Sequence, residues 1–196
     1  MIKGVIFDPA HLFMKSDRAW EYCCKKFNLT KKDLLELRKE LIKPAKEGKL
    51  SKDELLIKLS NYFNIDLTNM QKELEIGGRM FDFNNKVLDL IKQIDKSKYK
   101  IGLISNTTEL FASLHDEGNL YNQFENVILS FEVKALKPNK VIYKKMLQKL
   151  NLKSDECVYI DVKERNIQTA QELGMKTILF KNIEQLKEDL NKYNLI

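Results

Sequence analysis

The sequence predicts an α/β fold: a doubly wound parallel sheet with a helical insertion after its first strand. Three observations carry that expectation. Short apolar runs rich in β-branched residues recur along the chain. After residue 83 they alternate with helical periodicities, as parallel strands with crossover helices require. Residues 15–74, in contrast, show helical patterns and almost no strand signal.

Taken in order, Ile2-Lys3-Gly4-Val5-Ile6-Phe7 reads as a buried first strand. Trp20, Cys23, Cys24 and Phe27 then share one helical face, and Thr30 is placed to cap a helix carrying Leu34, Leu35, Leu37 and Leu41. Ser51-Lys52-Asp53-Glu54 is a capping box, serine and glutamate each satisfying the other's amide, ahead of Leu55, Leu56, Leu59 and Tyr62. The paired glycines in Ile76-Gly77-Gly78 mark a hinge. Beyond them a helix from about Asn85 to Lys96 leads to the strand Tyr99–Ile104, a polar turn and another helix. The strand Val127–Ser130, a helix from Asn139, the strand Cys157–Ile160 and a helix around Ile167–Leu173 follow. The strand Thr177–Phe180 and a helix from Ile183 close the chain. The expected division is a core of residues 1–14 and 83–196 and a helical unit of residues 15–82.

Composition narrows the class. Of 196 residues, 43% are hydrophobic and only 7 are Gly and 3 Pro, which excludes a collagenous or disordered chain. No apolar run approaches the roughly 20 residues that span a bilayer, and no small-residue cleavage site follows Met1–Phe7. Three cysteines cannot all pair, and Cys23 and Cys24 sit together on an apolar helical face, as reduced thiols of a cytoplasmic protein would. The net charge of +6 raises the question of a nucleic-acid partner. The excess is spread evenly, +3 within residues 15–84 and +3 outside, interspersed with acids and lacking an aromatic-basic stripe. That distribution argues against nucleic acid. Oligomeric state leaves no mark in the sequence.

Ligands of doubly wound sheets bind at the carboxyl ends of the strands. The first expected strand ends in Asp8, the second in Ser105-Asn106; Lys137-Pro138 follows the third, and the fourth ends in Asp161, with Asn166 five residues on. Singly these are ordinary residues: a helix cap, a turn, a solvated helix start. Together they suggest a nucleophile with cationic and hydrogen-bonding support for an anion.

At these residues the sequence resembles the haloacid dehalogenase-like (HAD) hydrolase superfamily, over nearly the whole chain. Val5-Ile6-Phe7-Asp8 is similar to its first motif, whose aspartate is the nucleophile, and Gly102-Leu103-Ile104-Ser105-Asn106 to its second. Glu132 through Lys137-Pro138 to Tyr143 is similar to the third. Val158-Tyr159-Ile160-Asp161 with Asn166, Ala170, Gly174 and Met175 is similar to the fourth. The helical unit matches the family's cap. The resemblance implies a phosphatase of small phosphorylated metabolites, with Asp8 forming a covalent intermediate that water breaks. Ser105 and Asn106 would bind the phosphoryl group, and Lys137 would neutralise charge on it and on the nucleophile. Magnesium would be held by Asp8, the Ala10 carbonyl and Asp161.

The sequence departs from that pattern in three places. Ala10 stands where the phosphatases carry a second aspartate as general acid/base, whose loss typically costs ~100- to 10,000-fold. An alanine there also occurs in the phosphonoacetaldehyde hydrolase branch, which uses a cap lysine. Val162 replaces the second acid of the fourth motif and offers a hard cation no oxygen, so magnesium is expected to bind weakly or not at all. His11 replaces a glycine, as a tolerated side chain or as a substitute proton shuttle; His115 is expected at the surface. Three functions remain open: a weakened phosphatase, a non-catalytic protein binding a phosphorylated ligand or a partner, and a metal-independent dehalogenase-like enzyme.

Overall fold

The computed structural model describes residues 1–116, 121 and 124–196. Its centre is a five-stranded parallel sheet, in the order β5-β4-β1-β6-β7. The strands are β1 (Gly4–Phe7), β4 (Lys100–Ser105), β5 (Asn126–Leu129), β6 (Cys157–Asp161) and β7 (Lys176–Leu179). β1 is fully buried because both faces are covered. Val5 and Phe7 join one apolar cluster, with residues of α6 (Asn85–Ile91) and α11 (Ile183–Lys192). Ile6 joins the opposite one, with α9 (Lys140–Leu150) and α10 (Glu164–Glu172). A strand buried on both faces has no polar side, hence its unbroken apolar run. From β1 the chain steps outward to β4 and β5, then returns to β6 on the other side of β1. The order therefore reverses at β1, and the crevice at that reversal lies between the carboxyl ends carrying Asp8 and Asp161.

Between β1 and β4 lies the helical part: α1 (Asp17–Lys26), α2 (Lys31–Leu37), α3 (Lys43–Lys46), α4 (Lys52–Phe63) and α5 (Leu67–Gly78). Both expected caps are present. The Thr30 hydroxyl accepts from the Asp33 amide and the Ser51 hydroxyl from the Glu54 amide, each carboxylate bonding back to the cap amide. These helices have their own apolar cluster, centred on Leu37, Leu55, Leu59, Met70 and Leu74. α7 (Glu109–Asp116), which follows β4, contributes Leu110 to that cluster. A short helix, α8 (Ser130–Val133), follows β5.

Several details differ from the expectations. A two-residue antiparallel ribbon, β2 (Met14–Lys15) with β3 (Asp82–Phe83), ties the two ends of the helical part together. Gly77 and Gly78 lie at the end of α5 rather than in a hinge. A Cβ on Gly78 would come within 3.3 Å of Leu114, so that glycine serves close packing of α5 on α7. The helix after Thr30 carries Leu34, Leu35, Leu37 and Leu41 as expected, but it is not a uniform α-helix. It passes through one π-helical turn, Arg38–Ile42, in which the Lys43 amide bonds the Arg38 carbonyl five residues back, and runs on to Lys46. Ser130, expected to end a strand, instead opens α8. All three cysteines are free thiols. Among the described residues no helix is long and apolar enough to cross a membrane. The His115 side chain lies outside the described residues.

Candidate active site

The ends of β1 and β6 bring three charged side chains into a buried cluster. Lys137 Nζ lies 2.6 Å from Asp8 Oδ1 and 3.9 Å from Asp161 Oδ2, and donates to the Ile104 carbonyl at 2.6 Å. Asp8, Lys137 and Asp161 are 2%, 4% and 0% exposed, so these charges meet with almost no solvent screening. Burial raises the Asp8 carboxyl above the ordinary range, the Lys137 ammonium opposes that rise and the Asp161 charge adds to it.

Lys137 sits in a loop and is held there by the sequence on both sides. The Asn106 side chain clamps its backbone, accepting from the Lys137 amide at 2.9 Å and donating to the Lys137 carbonyl at 3.0 Å. Nearby, the Ser130 hydroxyl accepts from the Thr107 amide at 3.1 Å and donates to the Thr107 carbonyl at 3.0 Å, fixing the loop after β4 against α8. Asn106 therefore spends its amide on positioning the lysine.

Asp161 accepts hydrogen bonds on both oxygens. Oδ1 accepts from the Lys163 amide at 2.8 Å; Oδ2 accepts from the Asn166 side chain at 2.8 Å and from the Tyr159 hydroxyl. Tyr159 is buried, which pushes its phenol well above the ordinary value. It packs edge-on against Tyr143, whose hydroxyl donates to the Asn166 carbonyl at 3.2 Å. Asp8 is different. Its Oδ1 takes Lys137 and, at 3.4 Å, the Ala10 amide, while no donor among the described residues reaches Oδ2.

Two chambers adjoin, sharing Ala10, Trp20, Lys46 and Asn106 in their walls. A polar crevice of about 1070 Å³ is lined by Asp8, Ala10, Asn106, Lys137 and Asn166 together with residues of the helical part. An apolar cavity of about 150 Å³ runs under Trp20 and Phe111 and reaches Ser105 and Asn106. Ser105 is buried and opens onto the apolar cavity; burial raises the phenol of Tyr121, against hydrogen bonds from Ser105 and Thr107. His11 is exposed, lines the polar crevice and holds a left-handed backbone at φ 61°. That conformation favours glycine, and a side chain there costs on the order of 1 kcal/mol.

Magnesium finds a sparse donor set. Asp161 already serves three donors, Val162 packs against apolar neighbours, and no group of three or more His, Cys, Asp or Glu side chains converges among the described residues. What fits a cation is the open oxygen of Asp8, with Ala10 lining the same crevice, leaving the other positions to water and phosphate, as magnesium tolerates.

The sequence reading missed the residues that roof the crevice. Arg38, Lys39, Ile42, Lys43 and Lys46 all line it, an i, i+1, i+4, i+5, i+8 stripe that the sequence displays. Burial, with Lys163 and Arg38 nearby, holds the Lys46 amine down at about 8, against the pull of Asp8. Gly48 sets the tip of this roof. Its φ is +67° and a Cβ would fall 2.2 Å from the Phe131 carbonyl, so only glycine lets the tip dock on α8.

Comparisons with known proteins agree with this architecture. A family model described as haloacid dehalogenase-like hydrolase matches residues 19–180. The chain is 26% identical over 157 residues to a D-ribitol-5-phosphate phosphatase of Bacteroides thetaiotaomicron, covering 76% of each. It is 22% identical over 169 residues to a flavin mononucleotide hydrolase of Arabidopsis thaliana, covering 84% of this chain and 67% of that one. Among solved structures, a HAD-family enzyme of Bacteroides thetaiotaomicron in complex with magnesium and inorganic phosphate superposes with a TM-score of 0.78 at 21% identity, covering 92% of this chain and 95% of that one. A 2-haloacid dehalogenase of Pseudomonas syringae superposes at 0.68 with 16% identity, covering 98% and 100%. Likeness at these identities shows the fold.

Proposed function

The chain belongs to the haloacid dehalogenase-like hydrolase family, and we propose that it is a phosphatase of small phosphorylated metabolites in which Asp8 accepts the phosphoryl group. The observation that carries this reading is the asymmetry of the two carboxylates: both oxygens of Asp161 accept hydrogen bonds from the surrounding protein, three in all, while Asp8 keeps one oxygen open beside a buried ammonium. Asp8 Oδ2 attacks phosphorus, an O–P bond forms, and the bond to the leaving oxygen breaks with its electron pair. Lys137 offsets charge on Asp8 and on the transferring group. Water then attacks phosphorus, the Asp8–phosphorus bond breaks, and phosphate and the free carboxylate are restored. By the resemblance Ser105 would hydrogen-bond the phosphoryl group, Asn106 serves the site by holding Lys137 in place, and residues 15–82 act as a cap that roofs it.

Ala10 cannot donate a proton, so the leaving oxygen takes its proton from water, and substrates whose leaving group needs little protonation are favoured. Asp161 acts by anchoring β6 and orienting Lys137. Asp8 and the Ala10 carbonyl would hold magnesium, which would offset negative charge during transfer; with Asp161 engaged and Val162 apolar, that binding would be weak. The same two substitutions favour, as second reading, a protein that retains the crevice for binding alone.

The test is a panel of aryl and alkyl phosphates over a magnesium titration, with the Asp8→Asn variant alongside. Aryl phosphates should turn over, alkyl phosphates far more slowly, and the variant not at all. Efficient hydrolysis of alkyl phosphates at low magnesium would contradict the reading, and inactivity throughout would favour the binding protein.

A further inference from the structure

The crevice is lined by cations that form no salt bridge among the described residues. Among the described residues, Arg38, Lys43 and Lys46 on the cap and Lys134, Lys163 and Arg165 on the core line the same polar crevice, and none has a carboxylate within salt-bridge distance. Neighbours that lack this task are paired: Lys49 binds Glu47 at 2.6 Å and Lys39 binds Glu40 at 3.0 Å. The arrangement is built rather than diffuse. The π-helical turn and Pro44-Ala45-Lys46 keep Arg38, Lys43 and Lys46 on the crevice side, and the Arg38 guanidinium stacks 4.8 Å above the Trp20 ring, which fixes its plane. Lys137 already answers Asp8 at 2.6 Å, and although Lys46 and Lys163 also feel Asp8, the six together bring more positive charge than one buried carboxylate offsets. Like charges facing one crevice repel each other until an anion enters.

From this geometry we infer that the substrate carries a second phosphate, remote from the one transferred to Asp8, and that Lys46 and Arg38 of the cap with Lys163 of the core bind it. The substrate class is a small bisphosphate, which a crevice of about 1070 Å³ accommodates. A planar guanidinium held by an aromatic face suits bidentate phosphate binding, and flanking ammonium groups add charge without demanding orientation. This rests on the phosphatase reading above and names its substrate class. It also gives the cap a reason to close, because the second phosphate joins cap and core cations.

The experiment compares fructose 1,6-bisphosphate with fructose 6-phosphate, as competitors of 4-nitrophenyl phosphate turnover and as calorimetric ligands of the intact protein. The bisphosphate should bind on the order of 10- to 100-fold more tightly than the monophosphate. Lys46→Met should collapse that ratio towards one, while Lys49→Met, at a paired lysine on the same rim, should leave it within about twofold. Equal affinities in the parent protein would overturn the inference. So would a ratio that survives in Lys46→Met, or one that falls equally in Lys49→Met, since a diffuse field would then be responsible. If no phosphate ester is turned over, the phosphatase reading fails, and calorimetry still decides whether the subsite exists.

Discussion

The floor and the roof of the crevice are built on opposite principles. On the floor, at the ends of β1 and β6, each charge has partners: Lys137 has Asp8 and a carbonyl, and Asp161 has three donors. On the roof, Arg38, Lys43 and Lys46 form no salt bridge among the described residues. The floor is finished when the chain folds and the roof is not. A preorganised, water-poor floor is what transition-state stabilisation needs, whereas an uncompensated roof is what ligand selection needs.

The sharpest way to break the floor is Lys137→Met. It leaves two buried carboxylates facing each other without a cation, and should cost about 3–5 kcal/mol in urea unfolding at neutral pH. The sign of its pH dependence follows from Asp8. Burial already places that carboxyl above its unfolded value, and removing Lys137 pushes it further up. The folded variant then binds more protons than the unfolded chain, so its stability falls as pH rises through the folded Asp8 pKa and recovers below it. A variant equal to the parent in stability at every pH would show that the ion pair does not hold the floor.

A second change repairs the floor instead. Ala10→Asp together with Val162→Asp supplies the proton donor and an oxygen ligand that the sequence lacks. Alkyl-phosphate turnover should rise at least ~100-fold, with a much smaller gain for aryl phosphates, measured as kcat/KM. Equal gains for both classes would mean that the acid acts on something other than the leaving group.

The smallest effect separates cap stability from crevice chemistry. Ser51→Ala removes the N-cap of α4 and should cost about 1 kcal/mol in thermal or urea unfolding. Aryl-phosphate kcat should not change, because Ser51 does not line the crevice and its hydroxyl bonds only within its own helix end. A proportional loss of kcat would show that the cap's helices and the floor are coupled.

The sequence displays the floor well and the roof poorly. Fully buried parallel strands leave unbroken apolar runs, so their ends, and with them Asp8, Ser105 and Asp161, stand out as punctuation. Asn106 and Lys137 are legible for the same reason, although the clamp between them joins residues 31 apart and has no local signature. The ribbon of Met14–Lys15 with Asp82–Phe83 is too short to show alternation. A π turn shifts one hydrogen bond and leaves no mark in composition, which is why the helix after Thr30 reads as a plain helix. Gly78 reads as a hinge because permissive backbone and close packing ask for the same residue. Lys46 is hidden among 34 basic residues and is distinguished only by what does not stand beside it.

The central claim is that Asp8 itself receives the phosphoryl group, and acid quenching during turnover of 4-nitrophenyl phosphate, followed by mass mapping of the peptides, tests it most directly. The predicted result is one added phosphoryl group on the peptide containing Asp8, absent from Asp8→Asn, which shows no turnover. Turnover with that peptide unmodified, or an Asp8→Asn variant that hydrolyses the ester at the parental rate, would contradict the account.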